Sequence, residues 1–360
     1  MSINTGFHRL KVAEVRRETA DAVSILFDVP NELREIFAFK AGQHLTLKAD
    51  IGGEDVRRTY SVCVSPSQNE IRIAIKQMQE GKFSTWANAS IAAGHVLEVL
   101  PPMGRFVLPE RDGPAPYYVA LAGGSGITPV ISILKTVLEE KPRSRFSLLY
   151  GNRDTASVIF LEELAGLKNR YLDRLEVYHF LENEVEEIEL FNGRLDRAKC
   201  EEVFTRLVDV KSADAFFICG PGPMMDAAAS ALTTRGVSPD RIFVERFTSS
   251  ALSAEQIAKN EALQKKAAGT TLMVTLDGRR AKIAFDATKG NILESVHAAG
   301  LQAPYACKSG VCTTCRAQVL SGTVTLKKNY GLTEQELADG YILTCQAVPT
   351  SAEVTLSYDA

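Results

Sequence analysis

The sequence predicts a multidomain chain in three parts: an antiparallel β-barrel, an α/β domain on a parallel sheet, and a smaller cysteine-bearing domain at the C-terminal end. Three observations carry this. Up to about residue 112, short apolar runs alternate with polar residues and are separated by turn residues, as in an antiparallel sheet or barrel. From about 115 to 247, continuous apolar strands alternate with helical stretches, the pattern of a parallel sheet with crossover helices. Near the end, three cysteines crowd into CKSGVCTTC (307–315), and a fourth follows in YILTCQAVP.

In the first part the strands are HLTLKAD (44–50), RTYSVCV (58–64) and EIRIAIK (70–76). In the second they are YYVALAG (117–123), RFSLLYG (145–151), RLEVYHF (174–180), AFFICG (215–220) and RIFVERF (241–247). TPVISILKTVLEE (128–140) and PMMDAAASALTTRG (223–236) read as helices between some of them. TSSALSAEQIAKNEALQKKAAG (248–269) is polar, without strand pattern, and behaves as a linker with some helical character. TLMVTLDGRRAKIAFD (271–286) then gives two short strands around an Asp277-Gly278 turn. The expected limits are 1–112 for the barrel, 113–248 for the α/β domain, 249–268 for the linker and 269–360 for the last domain.

The 360 residues are 45% hydrophobic and 24% charged, with a net charge of −3, and show no basic run of the kind nucleic acid requires. The N-terminus, MSINTGFHRLKV, lacks the apolar core of a signal peptide. The uncharged run from Gly113 to Leu134 carries GGSG and a proline, which suits a strand, a tight loop and a helix better than a membrane span. Cys63, Cys200 and Cys219 are scattered, and no secretory signal supports a disulfide framework. The expectation is a cytoplasmic protein.

Cys307, Cys312, Cys315 and Cys345 have the spacing C-x4-C-x2-C with a distant fourth cysteine, which is the plant-type [2Fe–2S] pattern. A short loop must wrap such a cluster, sulfurs inward, while backbone N–H groups face its negative charge. Ser309, Gly310, Thr313 and Thr314 are small enough for that approach. Structural zinc is the sharpest competitor, but it usually takes two C-x2-C knuckles, and Cys345 stands alone. Four free buried thiols would have to reach this spacing by accident.

The last ninety or so residues resemble a plant-type ferredoxin domain, which implies a β-grasp fold around a [2Fe–2S] cluster. Photosynthetic ferredoxins are strongly acidic; here eight acidic residues from 269 onward are balanced by eight basic ones. A ferredoxin tethered to its reductase has less need of electrostatic steering.

A one-electron carrier fed by a two-electron reductant needs a flavin to split the pair. RTYS (58–61), GKFSTW (81–86) and PPMGRF (101–106) resemble the flavin domain of the ferredoxin–NADP reductase superfamily. That resemblance implies FAD, with Arg58 on its pyrophosphate, Tyr60 on the isoalloxazine and Ser61 near the reactive nitrogen. It also implies Lys76 along the flavin and ribityl region, and Gly81, Phe83 and Ser84 as phosphate donors. LAGGSGITPV (121–130) sets a glycine turn between strand and helix, a phosphate-cradling geometry. It resembles the superfamily's G-G-x-G-I-T-P, which places Gly123, Gly124, Gly126, Thr128 and Pro129 at the nucleotide. ICGPGPMM (218–225) resembles its C-G-P motif, which puts Cys219, Gly220 and Pro221 near the nicotinamide. Phe247, in VERF, holds the position of an aromatic beside the flavin. Ser61 and Cys219 are the expected catalytic residues. Each also has a plain reading: Tyr60 on an edge strand, Cys219 a buried strand thiol, Phe247 a core phenylalanine.

The order of barrel, nucleotide sheet, linker and ferredoxin resembles the oxygenase reductases whose ferredoxin is fused C-terminally. FHRLKVAEV, AGQHLTLKADIGGEDVRRTYSVC, PYACKSGVCTTC and TLKKNYGLTEQELADGYILTCQA resemble the reductase subunits of phenylacetyl-CoA epoxidases. The implied partner is a multi-subunit di-iron oxygenase, with neither nucleic acid nor membrane involved. In YGNR (150–153), Asn152 and Arg153 follow the second strand of the nucleotide sheet, where the adenosine ribose lies. An arginine there can pair with a 2′-phosphate, and with the family resemblance this gives NADPH, NADH being second. A reductase for another oxygenase, hydroxylase or desaturase, a stand-alone NAD(P)H-dependent flavin reductase and a redox-sensing relay remain as alternatives.

Overall fold

The computed structural model describes residues 6–109, 115–247 and 254–360. The chain divides into two units, Met1–Glu245 and Arg246–Ala360. The expected limits at 112/113 and 248/249 both fall outside the described residues.

The first unit opens with six antiparallel strands: β1 (His8–Thr19), β2 (Ala22–Asp28), β3 (His44–Asp50), β4 (Asp55–Ser61), β5 (Ile71–Lys76) and β6 (Val96–Met103). They lie in the order β4-β3-β6-β1-β2-β5. The two edge strands meet through a Val62–Ile73 bridge and a bond from the Cys63 N–H to the Arg72 carbonyl, which curls the sheet towards closure. Alternation along the strands turns Leu10, Val12, Ile25, Leu45, Leu47 and Ile73 into a common core. Helix α1 (Lys82–Ser90) seats Phe83 and Ala87 in that core, four residues apart on one face.

A parallel five-stranded sheet follows: β7 (Tyr117–Gly123), β8 (Arg145–Asn152), β9 (Leu175–Leu181), β10 (Ala215–Cys219) and β11 (Ile242–Glu245). Its order is β11-β10-β7-β8-β9. The crossovers are α2 (Ile127–Glu140), α3 (Leu161–Arg170), α4 (Arg197–Arg206) and α5 (Gly222–Thr234). Two of these, α3 and α4, are not among the helices expected from sequence. The first buries only Leu164, so it carries no apolar stripe. The second buries Cys200, Val203 and Phe204 at helical spacing, and its start is fixed by the Asp196 side chain accepting from the Lys199 N–H. Cys200 is therefore a core residue.

In the second unit, the first element is helix α6 (Ala254–Lys266). The stretch expected as linker is thus helical over Ala254–Lys266, and its end joins the core of this unit through Leu263 and Ala267. The strands that follow are β12 (Thr271–Leu276), β13 (Arg279–Ala284), β14 (Arg316–Ser321), β15 (Val324–Leu326), β16 (Tyr341–Leu343), β17 (Ala347–Pro349) and β18 (Glu353–Ser357). Helices α7 (Ile292–Ala298) and α8 (Glu334–Ala338) lie between them. The main sheet runs β13-β12-β18-β14-β16, with β12 and β18 parallel and the other pairs antiparallel. Asp277 and Gly278 both have positive φ, 52° and 71°, so the tight β12–β13 turn is the one that Asp-Gly favours. No described helix is long and apolar enough to cross a membrane.

Candidate electron-transfer site

The nucleotide end of the site is set by sheet order. Strands β7 and β10 are neighbours, yet their crossovers leave in opposite directions along the sheet, so a crevice opens at their C-terminal ends. Both glycine loops sit there. A Cβ on Gly126 would lie 2.1 Å from the Cys219 carbonyl oxygen, and one on Gly123 would lie 2.5 Å from Pro221. A Cβ on Gly220 would come within 2.9 Å of the Gly123 nitrogen. The two loops are packed backbone to backbone, and only glycine permits it. Gly124 takes φ +51°, and its carbonyl is held by the Tyr150 hydroxyl at 3.0 Å. Thr128 donates to the Ser125 carbonyl at 3.0 Å, and Pro129 sits in the first turn of α2.

Asn152 is buried, and neither atom of its amide has a partner of hydrogen-bond geometry. An orphaned polar side chain at this edge suits a ligand that would satisfy it. Next to it, Arg153 is not a free loop arginine: its guanidinium meets Asp21, on the turn before β2, at 3.2 Å. Lys76 meets the same carboxylate oxygen at 3.7 Å, and its ammonium stands 4.0 Å from where a Gly124 Cβ would be. The structure therefore places Lys76 at the mouth of the nucleotide loop.

The flavin motif spans two faces of β4. Tyr60 and Arg58 lie opposite Leu45 and Leu47, whereas Ser61 lies opposite His44. Tyr60 is half-buried against Phe83, with ring centroids 5.6 Å apart, and burial pushes its phenol up while Arg58 opposes the shift. Arg58 is exposed and bonds the Arg57 carbonyl at 2.7 Å. Gly81 is the N-cap of α1 and makes no side-chain cap bond, and the first N–H groups of a helix have no acceptor within it. Phe83 is a core residue. The Ser84 hydroxyl is spent inside the turn, accepting from the Met78 N–H at 3.0 Å and donating to the Gly81 carbonyl at 3.1 Å. Phe247 is half-buried and lies beyond Glu245, in the second unit.

Sequence reasoning misses two residues close to Cys219. His44 is buried, its Nδ1 is 3.8 Å from Glu245 Oε1, and its Nε2 has no hydrogen-bond partner. Burial pushes His44 down to about 4 and Glu245 up to about 8. Cys219 lies close by; burial raises its thiol well above its ordinary value, and the Glu245 charge adds to the rise. The only sequence signal for either residue is a polar group inside an otherwise apolar strand.

In the second unit the four expected cysteines come together as two pairs. Cys307 and Cys312 each receive the other's backbone N–H on sulfur at 3.4 Å. Cys315 and Cys345 form the second pair, with a side-chain hydrogen bond between their sulfurs. That bond holds Cys345 below the usual thiol range, and the bond from Cys312 holds Cys307 down to about 5. Among the described residues, no three His, Cys, Asp or Glu side chains converge on a single metal ion. Two thiol pairs are what a two-iron cluster needs, with two sulfurs for each iron.

The surrounding loop fits that group. Lys308, Gly310 and Thr313 take positive φ, which turns successive N–H groups inward. Ser309 N–H points at Cys307 sulfur at 3.4 Å, the Thr314 hydroxyl at Cys312 sulfur at 3.3 Å, and the Gln346 amide at Cys345 sulfur at 3.7 Å. The KNYGL segment locks the loop from outside. Tyr330 N–H bonds the Gly310 carbonyl at 2.9 Å, and a Gly331 Cβ would lie 2.5 Å from the Val311 carbonyl oxygen.

Comparison with known proteins agrees with this layout. The oxidoreductase FAD-binding domain family matches residues 9–108, the oxidoreductase NAD-binding domain family 120–230, and the 2Fe-2S iron-sulfur cluster binding domain family 274–350. The chain is 40% identical to a subunit of the 1,2-phenylacetyl-CoA epoxidase of Escherichia coli (strain K12), over 99% of both chains. The chain belongs to the reductase components of multicomponent oxygenases. It is also 36% identical to the 3-ketosteroid-9-alpha-monooxygenase ferredoxin reductase component of Rhodococcus rhodochrous, over 97% of this chain and 96% of that one. The solved phthalate dioxygenase reductase, described as a modular structure for electron transfer from pyridine nucleotides to [2Fe-2S], matches with a TM-score of 0.62 and 25% identity over 98% of both chains. The chain is thus an NAD(P)H-dependent flavin iron–sulfur oxidoreductase that serves an oxygenase.

Proposed function

We infer that this reductase takes electrons from NADPH and passes them through FAD and the [2Fe–2S] cluster to a multi-subunit di-iron oxygenase that epoxidises phenylacetyl-CoA. The observation that carries the substrate class is the 40% identity to an epoxidase subunit over the full length of both chains. FAD, when bound, would supply the passage from a two-electron donor to one-electron transfer, and the cluster would supply a one-electron carrier. The chain's own residues prepare each exchange. Arg58 and the first turn of α1 hold the FAD pyrophosphate, Tyr60 covers the isoalloxazine, and Ser61 faces its reactive edge. Lys76 lines the flavin and ribityl region, Gly123, Gly124, Gly126, Thr128 and Pro129 seat the nucleotide phosphates, and Asn152 and Arg153 take the adenosine ribose. Cys219, Gly220 and Pro221 line the nicotinamide. Residues 1–112 form the flavin domain and 113–248 the nucleotide domain. Residues 269–360 form the ferredoxin, against whose core the end of the preceding helix packs through Leu263 and Ala267, and the whole works in the cytoplasm.

The test is reconstitution. Purified reductase, mixed with the oxygenase subunits of a phenylacetyl-CoA epoxidase, should couple NADPH oxidation to epoxide formation. Nucleotide oxidation without product, alongside coupled turnover of a steroid 9α-hydroxylase, would transfer the assignment to the second relative's class.

A further inference from the structure

We propose that Lys135 is a positioning residue: with Ser132 beside it, it ties the flavin strand to the nucleotide helix and so sets the distance over which hydride is transferred. The inference rests on reading the end of β4 as the flavin edge and the loop before α2 as the phosphate cradle. Neither residue belongs to the flavin or nucleotide motifs. Lys135 is 3% exposed, and Ser132 is fully buried. The Lys135 ammonium donates to the Cys63 carbonyl at 3.1 Å, and the Ser132 hydroxyl donates to the Val64 carbonyl at 2.6 Å. One turn further on, Glu139 accepts from the hydroxyls of Ser65 and Ser67, both at 2.6 Å. Positions 132, 135 and 139 lie on one face of α2. That face grips residues 63–67, which follow directly on the flavin strand.

Taking an ammonium out of water is costly, and methionine would fill the same space without that cost. The charge is balanced from the nucleotide side, by Glu163 in the first turn of α3. What the ammonium adds is a bond across to the barrel. Cys63 is also where that barrel closes: its N–H donates to the Arg72 carbonyl at 2.9 Å, and its thiol to the same oxygen at 3.3 Å. One residue therefore fastens both edge strands to α2. Ser61 lies two residues before Cys63, about 7 Å of extended chain. Thr128 lies two helical turns before Lys135, about 10 Å along α2. The tie is thus a short clamp between the places that hold flavin and nucleotide. Nearby, the Phe106 ring meets Phe217 edge-on at 5.6 Å. Apolar burial is non-directional, whereas the bonds to Cys63 and Val64 fix register. Register matters here, because a displacement of about 1 Å at a reacting pair costs on the order of 10²-fold in rate.

The test uses the flavin-loaded holoenzyme and its Lys135→Met, Ser132→Ala and Glu163→Gln variants. Anaerobic stopped flow with NADPH, and with NADH alongside, gives two readouts. One is the rate of flavin reduction; the other is the long-wavelength charge-transfer absorbance between flavin and nicotinamide. Lys135→Met should slow flavin reduction about tenfold at saturating nucleotide and weaken the charge-transfer band. Calorimetric affinities for 2′,5′-ADP and 5′-AMP should match wild type, because the glycine loop itself is untouched. Ser132→Ala should act in the same sense, about threefold on the rate, and it carries the comparison should Lys135→Met fail to fold. Glu163→Gln keeps the bond to Cys63, so its band and rate should match wild type even where its denaturant midpoint falls. A band and a rate unchanged in both Lys135→Met and Ser132→Ala overturn the proposal, whatever happens to their stability. An equal kinetic loss in Glu163→Gln overturns it too, since packing and not the tie would then be responsible. A wild type with no band and no flavin reduction by either nucleotide overturns the reading of the crevice itself, and the tie falls with it.

Discussion

The cluster loop and the nicotinamide crevice do comparable work by opposite constructions. Three of the four cluster thiols come from nine consecutive residues, and the loop's own N–H groups face their sulfurs. The crevice is gathered from β3, β4, β7, β10 and β11, and each piece contributes one or two residues. A contiguous loop concentrates its function in local geometry, so one substitution removes it completely. A dispersed crevice spreads its function over packing, so substitutions there give graded losses.

The largest effect should therefore come from the loop. Cys345→Ser should abolish the iron–sulfur chromophore and bring iron from about two per chain to near zero. Reduction of the flavin by nucleotide should persist, because the glycine loops and the flavin strand lie in the other unit. If flavin reduction collapsed along with the iron, the two regions would not be separable in the way their construction implies.

The strongest response from the crevice should come from Gly126→Ala. The added methyl would stand 2.1 Å from the Cys219 carbonyl oxygen, against backbone that cannot turn aside. A destabilisation of about 3 kcal/mol is expected. Trp86 is the only tryptophan, and it packs in the first unit against Phe83. Its fluorescence in a denaturant titration follows that unit alone, and an unmoved midpoint would mean that the two loops are less tightly packed than their geometry implies.

A third expectation concerns pH. Glu245 carries a folded value of about 8 against an ordinary 4.5, so its contribution to stability is complete below 4.5 and is lost as pH rises through 8. His44, lowered from 6.5 to about 4, acts in the other direction: its contribution is present above 6.5 and lost as pH falls through 4. Between pH 6.5 and 8 only Glu245 is changing. The first unit should lose about 2 kcal/mol across that window, and Glu245→Gln should flatten the slope. The Trp86 titration, repeated at the two pH values, measures it.

The same contrast explains what can be read from sequence. The spacing of Cys307, Cys312, Cys315 and Cys345 is a local pattern, and the structure brings them together as two pairs. The glycine loops are legible for a similar reason, since a strand, a turn and a helix are contiguous. His44 and Glu245 are not, because their meeting depends on strand order and each looks alone like one polar residue in a strand. Helix α6 reads mainly as linker because its sequence is polar, and only Leu263 and Ala267 at its end tie it to a core. Lys76 is assigned to the flavin by the family resemblance, and its ion pair with Asp21, at 3.7 Å, depends on a meeting of strand and turn that no local pattern shows.

The smallest effect tests the most exposed part of the crevice. An arginine that pairs with a 2′-phosphate would ordinarily be worth about 1.5–3 kcal/mol. Here the Arg153 side chain is 59% exposed and already meets Asp21 at 3.2 Å, so phosphate must displace a carboxylate in a well-screened setting. The net gain falls towards the bottom of that range, and Arg153→Ala should cut kcat/KM for NADPH about tenfold while leaving NADH nearly unchanged. Asp21→Asn removes the competing charge, so it should tighten binding of 2′,5′-ADP and leave 5′-AMP where it was. Calorimetric titration of both nucleotides with both variants decides the matter. Equal losses for NADPH and NADH in Arg153→Ala would make the arginine a structural tie between Asp21 and the loop after β8, with no part in choosing the nucleotide.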